Sequence, residues 1–302
     1  MTVSFEGAIG VFDSGVGGLS VLRHIRAALP AEHLVYFSDA GFAPYGDKPE
    51  AAIVNRALAI AAFLVQHGAK AVVVACNTAT AAAIDAIRQR YPALTVVGVE
   101  PGLKPAAECS VSRIVGVLAT SRTLASARFA QLQAQVTAST GARFLLQPCP
   151  GLADQIEKGE LRSLATARIV ERLVRPLLEQ GADTLVLGCT HYPFVQTLIE
   201  AAASRFTASS PNPAKSPVTL IDTGGAVARQ LGAVLRLRSQ LRDATLPGTL
   251  SACTSGSPGT LSQALRHLLA VTVPVTALTL ATGAPDNAAN KALPGTHGVS
   301  PV

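Results

Sequence analysis

Two cysteines stand where runs of apolar residues stop, and polar residues follow each of them. Cys76 opens the stretch CNT (residues 76–78), and Cys189 opens the stretch CTHY (residues 189–192). A free thiol has a pKa of about 8.5, and a helix N-terminus or a nearby proton acceptor brings its thiolate within reach at neutral pH. One thiolate can remove a proton from one face of a carbon while an opposed thiol delivers a proton to the other face. The pattern therefore predicts inversion of a stereocentre by two sulfur acids.

Partners for the two thiols follow predicted strands. Asp13 comes after the first strand and is a candidate proton-relay partner for Cys76, whereas His191 is the candidate for Cys189. Neutral hydrogen-bonding side chains can bind the carboxylate and ammonium groups of a small zwitterion. The candidates for these contacts are Ser14, Asn77, Thr78 and Thr190.

A purely structural role is the main alternative for any buried cysteine, because the residue commonly acts as a small core hydrophobe. Here that explanation would have to hold twice, at two similar positions. The other three cysteines lack polar residues in this arrangement, so we assign them structural roles. They are Cys109, Cys149 and Cys253.

Three cofactor sites remain to be weighed. Zinc accepts two cysteines and one histidine with an open fourth position, but no close-spaced pair such as CxxC is present. Pyridoxal phosphate would need a lysine at a strand end, and none is evident. The stretch DSGVGG (residues 13–18) could bind an anion or cap a helix. A dinucleotide fingerprint would need glycine at the position of Ser20 and would place Asp13 against the pyrophosphate, although Asp39 lies at a suitable distance for a ribose. We therefore expect no cofactor and no metal.

Short apolar runs alternate with longer amphipathic segments along the chain, which predicts parallel sheets covered by helices on both faces. The predicted strands are 9–12, 34–37, 71–75, 96–99, 114–118, 143–147, 184–187 and 218–221. The predicted helices are 19–29, 51–67, 79–91, 126–137, 161–180 and 194–204.

The chain contains an internal repeat. The segment HGAKAVVVACNTA (67–79) aligns with QGADTLVLGCTHY (180–192), placing Cys76 over Cys189. We infer a duplicated unit. The fold class expected is α/β: two similar doubly wound domains with mainly parallel sheets, related by a pseudo-twofold axis. Ligands of such sheets bind outside the carboxyl ends of the strands, so we expect the active site in the cleft between the domains.

The expected domains divide the chain unevenly. The first comprises residues 1–99 plus 215–282, and the second comprises residues 100–214. Residues 283–302 are rich in Pro, Gly, Asn and Ala without apolar periodicity, which predicts a disordered tail. Residues 207–217 are expected to form a surface loop.

Composition narrows the functional classes. The chain has 302 residues, of which 49% are hydrophobic and 15% charged, as in compact globular proteins. Its net charge of +6 is spread over predicted helices with few aromatic residues, which argues against nucleic acid as a partner. No apolar run reaches the roughly 18 residues that suggest a membrane span. Five unpaired cysteines and no evident leader lead us to expect a cytoplasmic protein.

Four motifs together carry a family resemblance. DSGxGG, PYG, CNT and GCTHYP occur in this order from about Ile9 to the helix after Asp222. The chain resembles the glutamate racemase family, cofactor-independent enzymes that supply D-glutamate for bacterial peptidoglycan. The resemblance implies that Cys76 deprotonates the D-enantiomer and Cys189 the L-enantiomer.

The resemblance also implies further site residues and a homodimer. It implies Glu157 as an auxiliary catalytic acid and Thr120 as a substrate contact from the second domain. The other implied substrate contacts are Asp13, Ser14, Tyr45, Gly46, Asn77, Thr78, Thr190 and His191. Three alternatives stay open at this point: a racemase of the same superfamily acting on aspartate or another small acid, a protein that binds an amino acid or zinc without turnover, and a dinucleotide-dependent oxidoreductase.

Overall fold

The computed structural model describes residues 5–209, 217–243 and 245–280. Its strands and helices alternate, as the apolar pattern predicts. The strands are β1 (Ile9–Asp13), β2 (Leu34–Ser38), β3 (Ala71–Val74), β4 (Thr95–Gly98), β5 (Ile114–Ala119), β6 (Arg143–Pro148), β7 (Thr184–Gly188), β8 (Thr219–Ile221), β9 (Leu250–Thr254) and β10 (Val275–Ala277).

The helices cover both faces of the sheets. They are α1 (Leu19–Ala28), α2 (Glu50–Gln66), α3 (Asn77–Arg90), α4 (Leu103–Cys109), α5 (Ser121–Leu124), α6 (Ala127–Thr140), α7 (Leu152–Glu157), α8 (Leu164–Glu179), α9 (Gln196–Ser209), α10 (Gly224–Leu237) and α11 (Pro258–Leu269). Short 3₁₀ turns occur at Tyr45–Asp47 and Tyr192–Val195. No helix within the described ranges is long and apolar enough to cross a membrane.

Two parallel sheets confirm the predicted α/β class. The first has the order β10-β9-β2-β1-β3-β4, and the second has the order β6-β5-β7-β8. The order β2-β1-β3-β4 thus recurs as β6-β5-β7-β8, in agreement with the inferred duplication. In each sheet the strand order reverses beside the first strand of the unit, and ligands of doubly wound sheets bind at this switch point. Cys76 and Cys189 follow β3 and β7, the strands that flank the two switch points.

The sheets are buried on both faces, which explains why their strands are nearly continuous runs of apolar residues. Val11 and Val73 pack into one hydrophobic cluster with α1 and α10, whereas Phe12 and Val72 pack on the other face with α2 and α3. The second sheet is sandwiched in the same way between two further clusters. Both sheets are therefore rigid supports for the residues at their strand ends.

The predicted boundary near residue 215 cuts off part of the second sheet. β8 lies past it and pairs with β7, and the chain then returns to the first unit at α10, which packs against α1. The chain passes between the two units near Gly102 and again near Ile221, and these two segments are in contact. A Cβ on Gly102 would lie 2.7 Å from a methyl carbon of Ile221. β9 and β10, which the apolar pattern does not single out, extend the first sheet beyond β2.

Two predicted segments fall partly or wholly beyond the description. Helix α9 continues through residue 209, so the first three residues of the predicted loop at 207–217 are helical instead. Residues 210–216 and the predicted tail at 283–302 lie outside the described residues.

Candidate active site

Cys76 lies between a strand and a helix. β3 ends at Val74, and Cys76 adopts an extended conformation as the N-cap residue of α3. Its Sγ lies 3.7 Å from the hydroxyl of Ser14, and the residue is buried. Burial raises the pKa of Cys76, and the negative charge of Asp13 raises it further, while the backbone N–H of Ala79 opposes both effects. The thiol is therefore protonated in this state and needs help to ionise.

Asp13 is a buried carboxylate with one oxygen held and one oxygen available. Oδ2 accepts hydrogen bonds from the backbone N–H of Gly15 at 3.1 Å and of Gly18 at 3.0 Å. Oδ1 is buried and has no hydrogen-bond partner among the described residues. Burial raises the pKa of Asp13, although the nearby His191 and the two N–H donors offset part of this effect. This side chain can accept or hold a proton in the site.

Cys189 has a different set of neighbours. It follows β7 directly, and its Sγ lies 3.5 Å from Nδ1 of His191. Nε2 of the same imidazole lies 2.6 Å from Oε1 of Glu157. The same Glu157 oxygen accepts a 2.7 Å hydrogen bond from the backbone N–H of Val16, in the first domain. The Cys189 sulfur, the imidazole and the carboxylate thus form a series of contacts that ends on the backbone of Val16.

The charges in this series of contacts favour an ion pair between His191 and Glu157. Burial alone would lower the pKa of His191, but the Cys189 thiolate and Glu157 together raise it well above its usual value. Burial likewise acts to raise the pKa of Glu157, but hydrogen bonding and attraction to His191 lower it below its usual value. A protonated imidazole beside a thiolate is the arrangement that activates cysteine nucleophiles and bases.

Hydrogen bonds close the cleft between the two domains. Ser20, on α1, donates to the backbone carbonyl of Thr190 at 2.7 Å. The hydroxyls of Thr78 and Thr120 lie 3.0 Å apart, and Thr120 also caps α5. A negative charge on Cys189 raises the pKa of Cys76, so the two sulfurs share one electrostatic environment. These contacts join residues close to both cysteines to the opposite unit of the fold.

Close approach explains two of the glycines in the first motif. A Cβ on Gly15 would overlap Oε1 of Glu157, and a Cβ on Gly17 would overlap the imidazole of His191. Neither residue has a positive φ angle. These glycines are therefore needed because side chains of the second unit lie against the backbone. This reason is absent from the helix-cap and anion-site interpretations of the motif.

The residues of the PYG and CNT motifs that are predicted to contact substrate differ from one another in their surroundings. The Tyr45 hydroxyl donates to Oδ2 of Asp39 at 2.6 Å, and the Tyr45 carbonyl accepts a 3.2 Å hydrogen bond from the backbone N–H of Lys48. Gly46 faces Thr120 across the cleft, because a Cβ there would lie 3.8 Å from the threonine. Asn77 donates weakly to the carbonyl of Val99 at 3.4 Å, while its Oδ1 is buried without a partner among the described residues.

Several supporting residues are not predicted by the motifs. The buried Tyr36 donates to the carbonyl of Gly15 at 2.7 Å and so fixes the first motif from β2. Ser20 stands out in the sequence only as a departure from a nucleotide fingerprint, yet it joins the domains. A phenol in the middle of an apolar strand is the one signal available for Tyr36, since a buried hydroxyl usually finds a partner.

Of the three remaining cysteines, Cys149 lies near Cys189, because the charge of Cys189 is among those that act on its thiol. Burial raises the pKa of both Cys149 and Cys253 to about 12, so they stay as inert thiols. Cys109 is exposed at the end of α4 and is not a core residue. Across the described ranges, no group of three or more metal-ligating side chains converges on one point.

Comparison with known proteins points to one family. The model of the Asp/Glu/Hydantoin racemase family matches residues 9–231. A glutamate racemase of Pseudomonas paraeruginosa is 52% identical over 233 residues, which cover 77% of this chain and 83% of that protein.

Solved structures agree with this likeness. The Bacillus anthracis glutamate racemase RacE1 has a TM-score of 0.79 and 30% identity, and the match covers 90% of this chain and 97% of that one. The Escherichia coli glutamate racemase, solved with L-glutamate and the activator UDP-MurNAc-Ala, has a TM-score of 0.75 and 31% identity, over 91% of this chain and 99% of that one.

Proposed function

Because the chain belongs to the Asp/Glu/Hydantoin racemase family, we propose that it interconverts L-glutamate and D-glutamate without a cofactor. The observation that carries this proposal is the pair of cysteines after equivalent strands, facing one cleft. The relatives named above are glutamate racemases, and one was solved with L-glutamate.

The reaction needs two proton transfers at one carbon. In the direction from D to L, the Cys76 thiolate takes the proton from Cα and becomes a thiol. The Cys189 thiol then gives its proton to the opposite face of the resulting carbanion and becomes a thiolate. The reverse direction exchanges the two roles, so the enzyme that releases product is ready for the opposite enantiomer.

Each thiolate has its own means of formation. Asp13 offers a free, buried carboxylate oxygen as an acceptor on the side of Cys76. On the other side, the raised pKa of His191 keeps a positive charge beside Cys189, which stabilises the thiolate. Glu157 holds that imidazole in place and supplies the opposing charge.

Neutral side chains are left to bind the substrate. The hydroxyls of Ser14, Thr78 and Thr120 suit its carboxylates. Oδ1 of Asn77, which has no partner within the described part of the chain, suits its ammonium group. Thr190 and the backbone of Tyr45 and Gly46 complete the proposed contacts. A buried acceptor without a protein partner costs free energy, which a bound ammonium group would recover.

The wider role follows from the same resemblance. We propose a cytoplasmic homodimer that supplies D-glutamate for peptidoglycan synthesis. The five free cysteines support a reducing compartment. Sedimentation equilibrium of the purified protein measures the assembly, and a mass equal to one chain would contradict the dimer.

Circular dichroism of L- and D-glutamate solutions tests the activity directly. With purified protein, a thiol reductant and a chelator, either enantiomer should lose its signal and reach zero. In deuterated water, deuterium should appear at Cα during turnover. An unchanged signal from both enantiomers would contradict the proposal, and faster turnover of D-aspartate than of D-glutamate would reassign the substrate.

A further inference from the structure

A buried ion pair lies beside the cleft and takes no part in the proposed proton transfers. Asp39, directly after β2, is fully buried, and Arg56 on α2 is only 8% exposed. Both nitrogens of one edge of the guanidinium, Nε and Nη2, donate to the two carboxylate oxygens. The sequence suggests Asp39 only as a ribose contact, and the structure gives it a different partner.

Two more hydrogen bonds tie a loop to this pair. The Tyr45 hydroxyl donates to Oδ2 of Asp39 at 2.6 Å, and Ser255, after β9, donates to Oδ1 at 2.6 Å. Ser255 in turn accepts a 3.1 Å hydrogen bond from the backbone N–H of Gly41. The four side chains Asp39, Tyr45, Arg56 and Ser255 are called the loop clamp below. They fix residues 39–47 near both ends.

Stability alone does not explain a buried ion pair such as the one in the loop clamp. Removing two charges from water is expensive, and a buried ion pair often contributes no more than apolar residues of the same volume. Its geometry does, however, select one conformation, because bidentate pairing of arginine with a carboxylate is directional. The observation therefore points to a loop whose position matters.

The loop that is held this way borders the cleft. Gly46 faces Thr120 of the second domain, and Thr120 lies within hydrogen-bond distance of Thr78, two residues after Cys76. Tyr45 is itself buried, at 2% exposure, and its phenol points into the loop clamp, so the loop clamp fixes the backbone next to Gly46.

We propose that the loop clamp positions the Tyr45–Gly46 backbone against bound substrate, with Asp39 and Arg56 as positioning residues. The inference rests on the proposed function. When a binding-competent loop conformation is only partly populated, the apparent dissociation constant rises by the inverse of that population. Loosening the loop clamp should therefore raise KM and leave kcat nearly unchanged.

A second buried ion pair provides the matched control. Lys70 lies 2.6 Å from the buried Glu32, and both precede strands of the first sheet, at the amino ends and away from the cleft. Loss of this pair should lower stability without touching the substrate loop. Lys70→Met therefore reports what the loss of a buried pair does to folding alone.

The experiment compares KM and kcat for both enantiomers in four variants and the wild type. Tyr45→Phe and Ser255→Ala each remove one hydrogen bond and should fold normally, whereas Arg56→Lys keeps the charge but loses the bidentate contact. We expect KM to rise about three- to tenfold in these three, for both enantiomers, with kcat within about twofold. In Lys70→Met, KM should stay at the wild-type value while the unfolding temperature falls.

Two results would overturn the inference while leaving the proposed function intact. One is an unchanged KM in Tyr45→Phe and Ser255→Ala beside an active wild type. The other is an equal rise of KM in Lys70→Met, which would show a general effect of destabilisation. A wild type without any glutamate turnover would instead overturn the proposed function, and this inference with it.

Discussion

The two halves of the molecule place a cysteine after the third strand of the same strand order, but they surround it differently. Cys76 has a buried carboxylate, Asp13, and a hydroxyl, Ser14, as neighbours. Cys189 has an imidazole whose charge is kept by Glu157. The two repeated units therefore share the position of the sulfur, because the preceding strand fixes it. They differ in the side chains that help the thiol to lose its proton.

Thermodynamics limits how far this difference can reach. The two enantiomers have equal free energies in water, so their equilibrium constant is one. The ratio kcat/KM must therefore be the same in both directions for the wild type and for every variant. The asymmetry between the halves can appear only in pH dependence, in stability and in kcat and KM taken separately.

Removal of either sulfur should have the largest effect. Cys76→Ser and Cys189→Ser should each lower racemisation by at least about 10³-fold, because a serine hydroxyl does not ionise near neutral pH. Each variant should still eliminate a leaving group from a glutamate analogue of one configuration, since this needs one base. Circular dichroism measures the first reaction, and Cys109→Ser is the exposed control. Undiminished racemisation in either variant would exclude the two-base scheme.

Asp13→Asn should lower kcat/KM about 100-fold by removing the acceptor beside Cys76. The direction of the change in rate is informative, because the negative charge of Asp13 raises the pKa of Cys76. Its removal alone would make the thiolate easier to form. Initial rates over a pH series measure the change, and a faster variant would show that Asp13 only opposes ionisation.

Glu157→Gln should lower kcat/KM about 30-fold and move the alkaline limb of its pH profile to lower pH. The reason is that the carboxylate contributes to the raised pKa of His191, and a neutral amide does not. Asp13→Asn, on the other half, should move that limb less, because Asp13 acts on the imidazole by charge alone and Glu157 is also hydrogen-bonded to it. The same pH series for both variants separates the halves, and an unmoved limb in Glu157→Gln would contradict this assignment.

The pair of His191 and Glu157 should give the free energy of unfolding a bell-shaped dependence on pH. The raised pKa of His191 stabilises the fold below about pH 6.5 and ceases to do so as pH rises through the folded value. The lowered pKa of Glu157 stabilises it above about pH 4.5 and ceases to do so as pH falls through the folded value. The gap between wild type and Glu157→Gln should therefore peak between about pH 5 and 6.5, at about tenfold in the unfolding equilibrium.

Urea unfolding at three pH values measures this gap. Glu179→Gln is the control, because its pair with Arg175 is exposed on α8 and screened by water. A gap that stays constant from acid to alkaline pH would show that the pair does not carry the dependence.

Ser20→Ala should have the smallest effect, about a threefold loss of kcat/KM. It removes the hydrogen bond from α1 to the carbonyl of Thr190, and therefore loosens the Cys189 half against the other domain. Ser139→Ala, at the far end of α6, removes a comparable bond within one helix. Equal rates in both variants would show that this contact between domains is dispensable.

The fold and the location of the two sulfurs can be predicted because they depend on local patterns. Apolar runs define the strands, and the residue after a parallel strand lies at the carboxyl edge of its sheet. Cys76, Cys189 and Asp13 all lie at such edges, as the apolar runs before them indicate. The apolar run predicts the strand at 218–221 but not the sheet that it joins, so the membership of β8 in the second sheet is not predictable in this way.

The contacts between domains cannot be predicted from the residues. Val16 and Glu157 are 141 positions apart, and Ser20 and Thr190 are 170 apart. No periodicity relates such pairs, because they depend on how two rigid bodies meet. The family resemblance implies Glu157, but it says nothing of the contact with Val16. The hydrogen bond of Tyr45 to Asp39 escapes prediction for a different reason, because the PYG motif does not indicate which side chain the phenol contacts.

One carboxylate oxygen links chemistry to shape. Oε1 of Glu157 accepts from the imidazole beside Cys189 and from the backbone of the opposite domain. The second of these bonds helps to keep that carboxylate ionised, so the contact between the two halves also supports the positive charge beside Cys189.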